Sequence, residues 1–426
     1  MEVSLGFYIF AWIVIGWQLF LVFMAFFAPV LRYRIECFEA PAIDSERFLK
    51  TLEALTDAQV NHCTSVTVLT NGDQFYEAEL AAIAGAKRSI NLEAYIFQKG
   101  GIARRFLDAL TERARAGVKV NLVLDALGSF GATRSYCKPL IEAGGRVEFY
   151  HNFSWRSLAQ VNNRTHRELL IVDGAVGFIG GAGVADHWFT GKGKNPRWRD
   201  TMLRVEGDVV CNLQATFAEN WLESCGEVIF GEEYFPFCEE AGRSEAMIIN
   251  SAPSVGGSTR ARLLFQAMIS AAQKLICINS PYFLPDASML KELIRAVQRG
   301  VKVRIIVPGK KSDHMLTRSS SNSFYSKLLG AGAEIYEYQP SMIHAKILIV
   351  DTLWSVVGST NFDNRSFGLN DEVNMAVRDP DVSIRLEEDF AADLAASRRI
   401  TLEAWKNRPV LERAFEELGR IVQKQQ

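Results

Sequence analysis

His344, Lys346, Asp351, Gly358, Ser359 and Asn361 fall in one run, HAKILIVDTLWSVVGSTN, with the frame H-x-K-x4-D, six residues, then G-S-x-N. The frame recurs earlier. His166 and Asp173 stand seven apart, as His344 and Asp351 do, and Gly180-Gly181 fall where Gly358-Ser359 fall. One imidazole per half, each at the head of an apolar run, lets two histidines meet at one site. That is the minimum equipment for attacking a phosphodiester with one imidazole and protonating its leaving group with the other. Free histidine titrates near about pH 6.5, so small environmental shifts hold one ring charged and one neutral. Lys346, two residues past His344 on a strand, shares its face. With the Asn361 amide and the Ser359 hydroxyl it can stabilise the charge of a pentacoordinate transition state by binding phosphoryl oxygens. Asp351 lies at the far end of the strand and reads as a backbone or turn anchor rather than a general base; Asp173 holds the same place in the first half.

These residues, and the NFDNRSFGLNDE that follows them, resemble the phospholipase D superfamily and, within it, the bacterial cardiolipin synthases, from about Val66 to about Pro409. The resemblance implies two lobes around a pseudo-two-fold axis with the site between them. It implies a catalytic set of His344, Lys346 and Asp351 from the second motif with His166 and Asp173 from the first. It also implies that an acidic residue beyond each motif orients the opposing imidazole, which points to Glu372 and Asp200. A carboxylate on the far ring nitrogen fixes the tautomer and stabilises the charged ring.

The first motif, HRELLIVDGAVGFIGGAG, departs from the pattern. Glu168 stands where the family has lysine, and Gly183 where it commonly has asparagine. A cation about 5 Å from a phosphate contributes about 3 kcal/mol at an effective dielectric of 20, and an ionised glutamate replaces that attraction with repulsion. Three outcomes are open. Glu168 pairs with a cation such as Arg164 or Arg199, or it stays protonated and donates a hydrogen bond, or the first half has lost its phosphate-binding role.

The elements that must position these residues read as a duplication. KRSINLEAYIF (87–97) and KLICINSPYF (274–283) are apolar-rich strands; RFLDALTERARAGVKVNLVLD (105–125) and LIRAVQRGVKVRIIVPG (293–309) are each an amphipathic helix, a glycine stop and a strand. Gly117 and Gly300 fit the left-handed position that ends a helix. LLIVD and ILIVD are continuous apolar runs, as strands buried on both faces require. The expected class is α/β: two pseudo-symmetric lobes of mixed, largely parallel sheets flanked by helices, preceded by one transmembrane helix. The lobes are expected at 64–245 and 246–426, the second ending in helices that cap it, after an anchor at 1–31 and a linker at 32–63 with one short helix near 46–55.

Composition limits the function classes. A net charge of −2 offers no basic field for nucleic acid, so no nucleic-acid partner is expected. Seven scattered cysteines form no C-x2-C pair and read as reduced thiols. There is no H-E-x-x-H motif, Cys/His cluster or ligand-spaced acidic pair, so neither metal nor other cofactor is expected. Val3 to Leu31 carries no charged side chain. Leu5 to Ala28 as a helix reaches about 36 Å, enough to cross a bilayer core with tilt. Glu2 and the long apolar core argue against a cleaved signal peptide. Arg32 and Arg34 after the span place the catalytic region in the cytoplasm of an inner-membrane, single-pass protein. Loop 308–325, with Lys310, Lys311 and Arg318, is a candidate headgroup contact, and Trp188, Phe189 and Trp198 are candidates for the membrane interface or the core. Three function classes follow: a membrane-anchored phosphatidyltransferase acting on phospholipids, a hydrolase using water as acceptor, and a non-catalytic lipid-binding relative.

Overall fold

The structure is a computed structural model that describes residues 5–27, 40–152, 163–191, 196–237, 240–253, 259–311 and 324–407. Arg32, Arg34, Arg318 and the expected last helix after Pro409 lie outside the described residues.

The first lobe runs β1 (Asn61–Thr70), α3 (Gly72–Gly85), β2 (Ser89–Ala94), α4 (Gly101–Arg115), β3 (Lys119–Asp125), α5 (Lys138–Glu142), β4 (Arg146–Tyr150), β5 (Leu169–Val172), β6 (Val176–Gly180), α6 (Asp186–Phe189), β7 (Thr201–Glu206) and α7 (Val209–Cys225). The second runs β8 (Ser244–Ser251), α8 (Arg260–Ala271), β9 (Leu275–Asn279), α9 (Ala287–Gln298), β10 (Lys302–Pro308), β11 (Glu334–Tyr338), β12 (Ile347–Val350), β13 (Trp354–Gly358), β14 (Glu372–Arg378), α10 (Pro380–Ala395), β15 (Ser397–Ile400) and α11 (Leu402–Lys406). Ahead of both stand α1 (Leu5–Phe27) and α2 (Glu46–Thr56). Gly117 and Gly300, at φ +89° and +90°, turn the chain out of α4 and α9 into the next strand.

The strands form one continuous sheet, β15-β11-β10-β9-β12-β13-β14-β8-β1-β7-β6-β5-β2-β3-β4. The expectation of largely parallel sheets is corrected. Only β2-β3-β4 and β9-β10-β11, whose strands are joined by helical crossovers, run parallel. The rest pair antiparallel because β5-β6 and β12-β13 are hairpins and the chain returns through β7 and β14. The lobes meet where β1 pairs with β8, and their order on each side of that seam mirrors the other.

One apolar cluster spans the seam. Ile171, Leu203, Val205 and Trp221 of the first lobe pack with Ile347, Val373, Met375 and Leu386 of the second, so the lobes are held in one relative position. Strand β1 starts inside the expected linker. Helix α2 also belongs to the folded body: Phe48, Leu49 and Leu52 pack in the second lobe's outer core, with Phe48 edge-on to Trp354. Helix α1 is 23 residues long with no charged side chain. Its side chains are described to Phe20 and stand exposed, Trp12 and Trp17 among them. Within the described residues, no helix is long and apolar enough to cross a membrane.

Candidate active site

Each motif histidine is placed by the opposite lobe. The His166 amide donates to the Asp371 carbonyl (2.8 Å) and the His344 amide to the Arg199 carbonyl (2.7 Å). The same two short segments return the bonds: the Asp371 amide donates to the Arg164 carbonyl and the Arg199 amide to the Met342 carbonyl, both 2.9 Å. These paired bridges bring the residue after Asp371, Glu372, to His166, and the residue after Arg199, Asp200, to His344. Glu372 meets His166 Nδ1 at 3.0 and 3.1 Å through its two oxygens. Asp200 Oδ2 lies 2.9 Å from His344 Nδ1. With a carboxylate at Nδ1 the proton sits there, and the Nε2 lone pair is left for chemistry.

Both carboxylates are fully buried and held in turn. The Ser359 hydroxyl donates to Glu372 Oε2 at 2.5 Å and the Asn370 amide to Oε1 at 3.4 Å. The Trp188 indole N–H donates to Asp200 Oδ2 (3.0 Å) and the Thr201 amide to Oδ1 (2.8 Å). Burial pushes Asp200 upward, but the His344 hydrogen bond and the nearby Lys346 charge outweigh it and leave the carboxyl below its ordinary range. Asp363, buried beside Glu372 and His166, is pushed up to about 6, chiefly by burial.

The sequence-predicted residues divide into three groups. His166, His344, Lys346, Glu372 and Asp200 come together between the lobes. Lys346 Nζ lies over the His344 ring, 2.8 Å from Nδ1 and 3.1 Å from Nε2, and 3.4 Å from the Gly181 carbonyl of the first lobe. Asn361 is buried nearby, and among the described residues no hydrogen-bond partner reaches its Oδ1. Ser359 is nearby in a different capacity: its hydroxyl is committed to Glu372 and the Val373 amide.

Asp173 and Asp351 are not in the cleft, which corrects their place in the catalytic set. Asp351 accepts from the Gln273, Lys274 and Leu275 amides, and Asp173 from those of Lys87, Arg88 and Ser89. Both sit at positive φ, 55°, in tight turns that start β6 and β13. Each pins the chain as it enters β2 or β9, a strand's length from its histidine.

Glu168 takes neither cation suggested for it. Arg164 Nε pairs with Asp125 at 2.9 Å and Arg199 Nε with Asp393 at 3.0 Å. Glu168 Oε1 instead accepts the Ile96 amide at 3.1 Å. Burial drives its carboxyl well above the usual range, against the pull of that hydrogen bond and of Lys346. Gly183 supplies the space, since a Cβ there would collide with the Ile96 carbonyl and lie 2.8 Å from Glu168 Oε1.

Several contributors escaped sequence reasoning. Trp188, read as interface or core, is fully buried, bonds Asp200 and, with the half-buried Trp198, walls His344 at ring distances of 5.2 and 5.4 Å. Tyr95 stands edge-on to His166 at 5.2 Å. Asp393 on α10 grips Arg199, whose carbonyl holds His344, so that helix does more than cap. Only the WRD triplet before β7 hinted at this, since Arg199 adjoins the expected carboxylate.

The comparisons with known proteins agree with this geometry. The family described as "Cardiolipin synthase, PLD-like domain" matches residues 80–219 and 265–394, one copy per lobe. Cardiolipin synthase 1 of Bacillus anthracis is 37% identical over 368 residues, covering 84% of this chain and 72% of its own. The major cardiolipin synthase ClsA of Bacillus subtilis is 35% identical over 364 residues, covering 84% and 74%. Among solved structures, a phosphatidylserine synthase from Haemophilus influenzae superposes with a TM-score of 0.69 at 13% identity, over 90% of this chain and all of its own, which places the fold. The mirrored lobes, the two cross-paired histidines and these relatives lead to one conclusion: the chain belongs to the cardiolipin synthase family of phospholipid phosphatidyltransferases in the phospholipase D superfamily.

Proposed function

We propose that the chain is a membrane-anchored phosphatidyltransferase that moves a phosphatidyl group from phosphatidylglycerol to a lipid alcohol through a phosphohistidine. The observation that carries this reading is the pair of imidazoles, each backed at Nδ1 by a buried carboxylate from the opposite lobe. Lys346 beside the His344 ring disfavours protonation of that ring. No such cation is bonded to the His166 ring among the described residues. His344 Nε2 therefore attacks phosphorus, and the P–O bond to glycerol breaks as the P–N bond forms. His166, as imidazolium, gives its proton to the departing alkoxide. Neutral His166 then takes the proton of the incoming lipid alcohol, whose oxygen attacks phosphorus and breaks the P–N bond. Lys346 and Asn361 hold the phosphoryl oxygens.

The uncharged run from Val3 to Leu31 and the exposed Trp12 and Trp17 support attachment to a bilayer, with Arg32 and Arg34 favouring a cytoplasmic catalytic region. An anchor keeps the cleft where lipid alcohols outnumber other acceptors. The near-neutral charge supports lipid over nucleic acid as partner. Purified protein in phosphatidylglycerol vesicles is expected to yield cardiolipin and glycerol by mass spectrometry. Phosphatidic acid as the main product would make the chain a hydrolase, and no turnover in any lipid mixture would make it a binding relative.

A further inference from the structure

We propose that Glu168 serves the first half of the site as a neutral carboxylic acid, donating a hydrogen bond to a phosphoryl oxygen of the lipid from the position where the family carries lysine. The inference rests on the phosphodiester-transfer reading above. Its warrant is the way the carboxyl is built in. Glu168 is 5% exposed, two residues beyond His166. Its Oε1 is fixed by the Ile96 amide, so the group is oriented and not merely tolerated. Oε2 is not sealed from solvent, and no protein group among the described residues bonds it. An oriented carboxyl with one anchored oxygen and one open oxygen is the form in which an acid donates its proton to a ligand.

The surroundings decide the protonation state. The groups facing Glu168 are Glu79 and Tyr76 on α3, Glu93 on β2, Tyr95 just after it and Lys346 from the second lobe. Glu79 and Glu93 oppose ionisation of Glu168; Lys346 and the Ile96 amide favour it; burial, the largest influence, opposes it. Glu79 is itself pushed up to about 8 and Glu93 to about 7 by burial. This corner of the first lobe therefore holds protons at neutral pH. Lys346 is engaged with His344 and the Gly181 carbonyl and makes no hydrogen bond to Glu168. Gly183 completes the arrangement, because a side chain there would push the carboxyl off the Ile96 amide.

A neutral acid adds no repulsion to a phosphodiester anion; an ionised one does. Transfer should therefore rise with pH as His344 loses its proton and fall again as the general acid His166 loses its own and as Glu168 ionises. Glu168→Gln keeps the shape and a donor but cannot ionise. It is expected to lower transfer at pH 6 by less than about tenfold and to leave only the alkaline decline that His166 sets. Glu168→Ala, which loses the donor, should lose transfer at every pH, mainly through KM.

The deciding measurement needs no turnover. Infrared difference spectra of wild type and Glu168→Gln at pH 7 isolate the C=O stretch of the Glu168 acid from those of Glu79 and Glu93. Adding diethyl phosphate, a soluble phosphodiester, should shift that band to lower frequency. A missing acid band at pH 7, a band indifferent to diethyl phosphate, or an alkaline decline in Glu168→Gln that coincides with that of wild type overturns the proposal. Wild type inert in vesicles but with a shifting band overturns the transferase reading and leaves this one standing.

Discussion

The two lobes share a backbone plan almost strand for strand and fill the cleft with opposite chemistry. Lys346 of the second lobe matches Glu168 of the first, Asn361 matches Gly183, and Ser359 matches Gly181. Asn279 pairs with Ile347 at the place where Glu93 pairs with Leu169. The second lobe contributes a cation and amides, whereas beside Asp200 the first contributes Glu168, which burial drives well above the usual carboxyl range, and Glu93, which it raises to about 7. The glycines show how the two fit. A Cβ at Gly181 would lie 2.6 Å from Lys346 Cδ and 2.8 Å from Nζ, so the first lobe gives up a side chain to admit the other lobe's lysine. Duplication fixed the geometry of the pair of imidazoles, and divergence was then free to place the positive charge on one side only.

The largest effect should separate the histidines. With phosphatidylglycerol, His344→Ala and His166→Ala are each expected to lose about 10⁴-fold or more in transfer, because nucleophile and general acid act as one unit and their losses do not add. A phosphatidyl p-nitrophenyl ester needs no general acid, since its leaving group departs as a stable anion. His166→Ala should then release a burst of about one p-nitrophenolate per protein and accumulate phosphatidylated His344. His344→Ala should release none. The reverse outcome, a burst from His344→Ala, would show that the cation sits beside the acid and not the nucleophile.

Next come the crossed carboxylates. Glu372→Gln and Asp200→Asn keep shape but remove the charge behind each ring, and each is expected to cost about 10²- to 10³-fold in kcat. The comparison predicts a split in pH dependence. Glu372→Gln should act on the limb set by the general acid His166, and Asp200→Asn on the limb that rises with pH as His344 loses its proton. Equal displacement by both variants would mean that the lobes are interchangeable.

The sequence carried the site further than it carried the sheet. The family resemblance implied that an acidic residue beyond each motif orients the opposing imidazole, and Glu372 on His166 and Asp200 on His344 match it. What escaped was set by contacts distant in sequence. Asp393 reaches Arg199 across 194 residues, and nothing local in LEEDFAADL announces that grip. The sense of the strands was misjudged because an apolar run such as LLIVD is equally at home in a parallel strand and in a doubly covered hairpin. The fate of Glu168 was illegible for a related reason: its state depends on Ile96, Glu79 and the empty space at Gly183, none of which its own neighbours reveal.

A moderate effect is expected from forcing the lobes to match. Glu168→Lys restores the family residue, yet here it leaves the Ile96 amide without its acceptor and sets a second ammonium near Lys346. Transfer by Glu168→Lys should therefore fall below that of Glu168→Gln. Gly181→Ser should cost about tenfold by displacing Lys346 from the His344 ring. Gain of activity in Glu168→Lys alone would show that the acidic first lobe is a defect and not an adapted partner.

The smallest effect lies in stability and tests whether the first lobe really stores protons. Glu79 is buried with one oxygen unpaired, and burial raises it from an ordinary 4.5 to about 8. The folded chain therefore holds a proton that the unfolded chain releases above about pH 4.5. Where the native state binds more protons, stability falls with rising pH, so the loss runs from about pH 4.5 to about 8 and then levels off. Glu79→Gln removes the titration. Its melting temperature should gain on wild type steadily across that window by a few degrees, with little difference at pH 4. Asp200, in the same lobe but paired across the seam with His344, offers the contrast. Asp200 titrates below its ordinary range, so its contribution is present above that range and is lost only as pH falls through it. Asp200→Asn should therefore narrow its deficit against wild type toward acid, where Glu79→Gln shows no change. If Glu79→Gln instead tracks wild type at every pH from 4.5 to 8, the carboxyls of the first lobe are ionised like any others, and the contrast between a proton-holding lobe and a cationic one disappears.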